Sequence, residues 1–99
     1  MAVRIRRSTG NVFRDLGFSP AEATHLQVRA ALMVQLLRRI EERGHTQAAA
    51  ARLLGVTQPR VSDLARGKIE RFSIDTLVDM LARAGLTVSI VVRPASRVA

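Results

Sequence analysis

The chain has 99 residues, room for one small domain and not for two. It carries 16 Lys and Arg against 8 Asp and Glu, a net charge of +8, with 47% hydrophobic residues and no cysteine. That balance excludes a disordered basic tail, a disulfide scaffold, a cysteine nucleophile and a thiolate metal site, and a sequence pI near 11.8 is the electrostatic footprint of a nucleic-acid partner.

Residues 1–18 read as an arm followed by a hook, the alternative being a frayed basic terminus. Arg4, Arg6 and Arg7 precede a flexible turn at 8–11. Val12, Phe13, Leu16 and Phe18 then tuck onto a core, because two Phe so close together are costly to leave in water. The first long helix opens at Ser19, where Ser19-Pro20-Ala21-Glu22 is a capping box with Pro at the first helical position. Its apolar stripe is Leu26, Ala30, Met33, Leu37 and Ile40, widened by Leu32 and Leu36, and Gly44 ends it. Val28, Leu32 and Val34 make the helix more apolar than one face requires. They meet either a second chain or a core that surrounds the helix on several sides.

Thr46 caps a short helix that ends at Gly55, and Thr57 caps another, with Pro59 near its start and Gly67 at its end. Two short helices joined by a glycine-containing turn are the helix-turn-helix signature. Ala51 lets the two cross closely, and Val56, Val61 and Leu64 pin them together. A basic linker spans 68–72. A further helix follows Ser73, buries Ile74, Leu77, Val78 and Leu81, and ends at Gly85.

The period then changes. Leu86, Val88, Ile90 and Val92 alternate with Thr87, Ser89, Val91 and Arg93, a strand pattern stopped by Pro94. A lone strand must pair with the N-terminal arm, with a second copy of itself or with a partner protein. The expectation is antiparallel pairing across the two-fold axis of a homodimer, through Leu86, Val88, Ile90 and Val92. The chain thus divides into an arm and hook at 1–18, a helical domain at 19–85, and a dimerising strand and tail at 86–99. The fold class is mainly α, a bundle of four to five helices with one C-terminal strand.

Catalysis has no constellation here. His25 and His45 are too few and too scattered for a metal site or a base–nucleophile pair, Glu41 and Glu42 point in different directions from a helix, and no glycine-rich loop resembles a phosphate cradle. The expectation is a non-enzymatic protein with no cofactor and no metal. No apolar run reaches the roughly 18 residues of a membrane span, and no apolar stretch follows the early arginines as in a secretory signal, so a cytoplasmic protein is expected. Phe13, Phe18 and Phe72 are too few aromatics for a base-stacking platform, which favours duplex DNA over single strands.

Fifteen of the 16 bases are Arg, whose planar fork suits bidentate contacts to phosphate and guanine; Lys68 is the exception. In helix-turn-helix geometry the second short helix enters the major groove and the first crosses the backbone. Gln47, at the start of the first, faces a phosphate together with that helix's free N–H groups. Thr57, Gln58 and Arg60 stand at the front of the reading helix, Gln being suited to adenine and Arg to guanine. Pro59 can touch a thymine methyl. Asp63 accepts from cytosine or, the favoured reading, orients Arg60. Ser62, Arg66 and Lys68 are phosphate contacts.

At Gln47, Ala51, Gly55, Val61 and Gly67 the chain resembles the phage-repressor (Cro-like, or XRE) class of helix-turn-helix regulators, over roughly residues 29–84. The resemblance implies a phage-repressor-like bundle, with Gln47, Gln58, Pro59 and Arg60 where that class contacts operator DNA. Pro59 stands where the class often has a small polar residue. Residues 11–18, Asn-Val-Phe-Arg-Asp-Leu-Gly-Phe, resemble the opening of small HigA-like antitoxins, as do Phe72-Ser73 and the closing Val91-Val92-Arg93-Pro94. That likeness implies a RelE/HigB-like toxin as partner, neutralised by the chain, and repression of a shared operon. The alternatives are a stand-alone regulator with no toxin, and an interaction module that has lost DNA binding. Five bases against two acids over residues 46–72 argue against the last.

Overall fold

Four helices begin on a hydroxyl that closes their own first turn. In the computed structural model, which describes residues 2–5 and 12–94, Ser19 accepts from the Glu22 N–H, Thr46 from Ala49, Thr57 from Arg60 and Ser73 from Thr76. The elements in chain order are β1 (Ala2–Ile5), α1 (Val12–Asp15), α2 (Pro20–Glu42), α3 (Gln47–Leu54), α4 (Gln58–Ala65), a 3-10 turn (Ile69–Arg71), α5 (Ile74–Arg83) and β2 (Thr87–Ile90). Arg6, Arg7, the turn at 8–11 and the tail at 95–99 lie outside the described residues.

α2 stops as its sequence predicts. Gly44 takes φ +65°, its N–H donates to the Glu41 carbonyl, and the His45 N–H donates to the Ile40 carbonyl. These are the two bonds of a Schellman close, which need a left-handed residue that glycine adopts without a Cβ penalty.

The core lies between α2 and α5. Leu32, Leu36, Leu54, Leu64, Phe72, Leu77, Met80 and Leu81 are its fully buried large side chains. At about 1.5–3 kcal/mol for each such side chain removed from water, this cluster is the main stabilising term. A second, smaller cluster of Ala50, Ala51 and Val61 fastens α3 to α4, with Val56 packed against both clusters. Small residues on α3 let α4 cross close by, as the spacing implies.

The buried stripe of α2 is shifted from the expected one. Ala23, Leu32, Met33 and Leu36 are buried, whereas Leu26 and Ala30 are only half-buried. Leu32 is 1% exposed and Val28 packs against the same core, so both serve this chain; Val34 is 46% exposed. The helix is apolar on several sides because α5, the 3-10 turn and α1 all lie against it.

The hook forms the short α1 and a turn. The Phe18 N–H donates to the Phe13 carbonyl, and the two rings meet edge to face with centroids 6.3 Å apart. Leu16 and Phe18 nevertheless stay 69% and 42% exposed.

The C-terminal strand has a partner that composition did not reveal. β1 pairs with β2 in parallel, Ala2 opposite Thr87 and Ile5 opposite Ile90. Parallel pairing needs a long crossover, and here the helical bundle supplies it. The arm is therefore in part a strand, and the strand finds a mate within its own chain. β2 is also shorter than the expected 86–93. The ladder is four residues long because β1 is, and Leu86 points into the core instead of the sheet.

Candidate nucleic-acid interface

α3 and α4 are joined by a turn whose shape depends on one residue. Gly55 takes φ +68°, which lets the Val56 N–H donate back to the Ala51 carbonyl and aims the chain into the Thr57 cap. The Arg83 guanidinium lies against this turn, where a Cβ on Gly55 would come 2.7 Å from its Nη1. A cation at the C-terminus of α3 also complements the helix dipole.

α4 buries Val61 and Leu64 and turns Gln58, Pro59, Ala65 and Arg66 to solvent, with Ser62 half-buried. Pro59 costs the helix little, since the first-turn N–H groups have no intrahelical acceptor. Gln47 is exposed at the first position of α3, beside the free N–H groups of that end. Thr57 caps α4 through its hydroxyl. α4 thus exposes Gln58 and Pro59 at its start and Arg66 at its C-cap, while Val61 and Leu64 hold it from behind.

Arg60 and Lys68 are not free cations. The Arg60 guanidinium stacks 4.2 Å from the Phe72 ring centroid, and its Nη1 donates to the Arg71 carbonyl at 2.8 Å. A cation over an aromatic face is worth about 0.5–2 kcal/mol, depending on how far it is desolvated. Arg71 Nη1 in turn donates to Asp63 Oδ2 at 3.1 Å, and Lys68 Nζ lies 3.8 Å from Asp63 Oδ1. The favoured reading of Asp63 is therefore corrected: it holds Arg71 and Lys68, not Arg60. Arg60 and Asp63, one helical turn apart on α4, both grip Arg71, one by its carbonyl and the other by its side chain.

Arg71 is the member of this cluster that the sequence does not single out, and Phe72 stands out there as a scarce aromatic and in the Phe72-Ser73 likeness but not as a partner of Arg60. The available signal was a lone aromatic at the end of a basic linker. Phe72 is buried in the core with side chains of α2 and α5, and Arg60 stacks on its ring.

The four strand residues proposed for dimerisation separate. Leu86 is 8% exposed within the core and Val88 packs against it, while Ile90 and Val92 are 65% and 89% exposed. Among the described residues no three His, Cys, Asp or Glu side chains converge as metal ligands, and no helix is long and apolar enough to cross a membrane.

Residues 12–93 match the helix-turn-helix domain family, from the start of α1 to three residues beyond β2. The chain is also similar to an uncharacterised helix-turn-helix-type transcriptional regulator of Haemophilus influenzae, 31% identical over 84 residues that cover 85% of each protein. Two capped helices fastened through Ala50, Ala51 and Val61 around the Gly55 turn are the structural form of that match. With its match running through nearly every element described above, the chain belongs to the helix-turn-helix domain family.

Proposed function

We propose that the chain is a sequence-specific DNA-binding transcriptional repressor that acts as a homodimer. The observation that carries this reading is the solvent face of α4, with Gln58 and Pro59 at its start and Arg66 at its C-cap, on a helix whose opposite face is locked into the core. Gln58 and Arg60 are the base readers, Gln47, Ser62, Arg66 and Lys68 the phosphate contacts, and Thr57 sets the start of the reading helix. The net charge of +8 supplies the sequence-independent attraction. The name of the Haemophilus relative supports regulation of transcription as the setting.

The dimer is proposed through β2. β1 occupies one edge of β2, and the other edge, flanked by exposed Ile90 and Val92, has no partner strand among the described residues and can take the same strand of a second copy. Antiparallel pairing there makes a four-stranded sheet and sets two α4 helices on a palindrome with half-sites about one helical turn apart. The test is selection of a duplex from a random library, followed by titration against a scrambled sequence of the same composition. Clear preference for the selected duplex supports the reading. Equal binding to both, or none at low salt, overturns it.

A finer reading is an antitoxin that neutralises a RelE/HigB-like toxin and represses their shared operon. It rests on the resemblance of residues 11–18 to such proteins and on the exposure of Leu16 and Phe18 within that segment. Co-expression with the product of the adjacent reading frame tests it. A complex that survives purification supports the antitoxin, and its absence leaves the stand-alone regulator.

A further inference from the structure

We infer that Asp63 is a brake on phosphate binding, built into the DNA-reading helix. This rests on the DNA-binding reading above and concerns how strongly the interface holds any duplex. Asp63 is the single acid of α4. Its carboxylate is 19% exposed and faces two cations, Arg71 at 3.1 Å and Lys68 at 3.8 Å. Those two are among the five bases of residues 46–72. A phosphate that approaches either one must compete with an anion already in place.

Two opposite effects follow from such a carboxylate, and magnitudes decide between them. It orders Lys68 and Arg71, which helps a phosphate find them. Both cations are substantially exposed, at 34% and 52%, and exposed ion pairs of this kind change an equilibrium by about five-fold at most. It also subtracts charge from a surface that meets a polyanion. Each cation released to a phosphate adds about 0.9 to the slope of log affinity against log salt, close to a ten-fold gain in affinity at about 0.1 M salt. The subtraction wins. Asp63 therefore acts on the sequence-independent part of affinity, so that a strongly basic chain exchanges among the many non-specific sites of a genome without being held by them. The Arg60–Arg71 bond is part of the same arrangement, since it keeps the Arg71 backbone within reach of Asp63.

The test titrates the full chain and its Asp63→Asn, Asp63→Glu and Glu70→Gln variants against two duplexes at several salt concentrations. One duplex is the wild-type chain's own selection from a random library; the other is its scrambled counterpart. Thermal unfolding checks that each variant is folded. Asp63→Asn is expected to tighten both duplexes by about ten-fold at about 0.1 M salt and to steepen both salt slopes by about one unit, since Lys68 already counts among the phosphate contacts and Arg71 is the cation newly released. Asp63→Glu keeps the charge and is expected to keep the wild-type slope. Glu70→Gln makes the same charge change on the exposed 3-10 turn and is expected to shift the slope by less than half as much. Weaker binding of both duplexes by Asp63→Asn would overturn the brake and make Asp63 a positioning residue for phosphate contacts. Loss confined to the selected duplex would overturn it in favour of a base contact, and an equal effect from Glu70→Gln would reduce it to net charge. If the wild-type chain shows no preference between the duplexes, the DNA-reading proposal itself fails, a result distinct from all of these.

Discussion

Arg60 is the residue on which the proposed reading of sequence turns. In the DNA-free chain its guanidinium is stacked on Phe72 and bonded to the Arg71 carbonyl, so a guanine edge must draw it away from both. Arg60→Ala is expected to cost about 1–3 kcal/mol on the selected duplex and much less on scrambled DNA. Equal losses on the two would show that Arg60 acts through the Arg71 linkage or a phosphate. Lys68→Ala is expected to weaken both duplexes alike and to flatten the salt slope by roughly one unit, as a lost phosphate contact does. A loss confined to the selected duplex would contradict that role. The residue types at 58, 60 and 68 were legible candidates because their chemistry matches bases and phosphates. Their partners were not, because Phe72 and Arg71 reach Arg60 only after the 3-10 turn folds back along α4.

Among the elements, α3 and α4 are each only eight residues long, too short to be stable as isolated helices. Their caps and joining turn therefore matter more than they would in a long helix. Thr57→Ala removes the acceptor for the Arg60 N–H and is expected to cost about 1 kcal/mol, a fall of roughly 4–8 °C in Tm for a domain of this size. An unchanged melting curve would mean that the packing of Val61 and Leu64 alone sets the helix start. Gly55→Ala is expected to cost about 1–2 kcal/mol from the left-handed backbone at φ +68°. The nearby Arg83 guanidinium is the far end of a flexible side chain and can move aside. Gly67 has the same conformation at φ +69° with nothing within 4 Å of its Cβ position, so Gly67→Ala should cost a similar amount. A much larger loss at Gly55 in thermal or denaturant unfolding would mean that Arg83 is fixed in place.

For the whole molecule, the proposed dimer depends on the edge of β2 that no other described strand pairs. Leu86 and Val88 belong to the chain's own core, so removing the strand outright would damage the fold along with any interface. The double substitution Ile90→Asp and Val92→Asp alters only exposed side chains. It is expected to convert a dimer of twice the 10.9 kDa chain mass into a folded monomer on sedimentation, and to weaken DNA binding by splitting the paired half-sites. A double variant that still sediments as a discrete dimer would move the interface elsewhere, with exposed Val34 on α2 the next surface to change.

Local rules were enough to find the helices. Ser19, Thr46, Thr57 and Ser73 cap them, Gly44, Gly55, Gly67 and Gly85 end them with positive φ, and each signal needs only residues within a turn or two. The helix-turn-helix was legible for the same reason: its caps, its turn glycine and its small residue at Ala51 fall within one short stretch. What required the folded chain was everything set by distant segments. The arm residues Ala2–Ile5 carry no strong strand pattern, and they become a strand because β2 offers them a ladder across the finished bundle. The centre of the α2 stripe moved toward Leu32 and Leu36 because α5 and Phe72 packed there. Asp63 exchanged its expected partner for Arg71 and Lys68 because charge attraction depends on separation in space, and the 3-10 turn, not sequence spacing, set that separation.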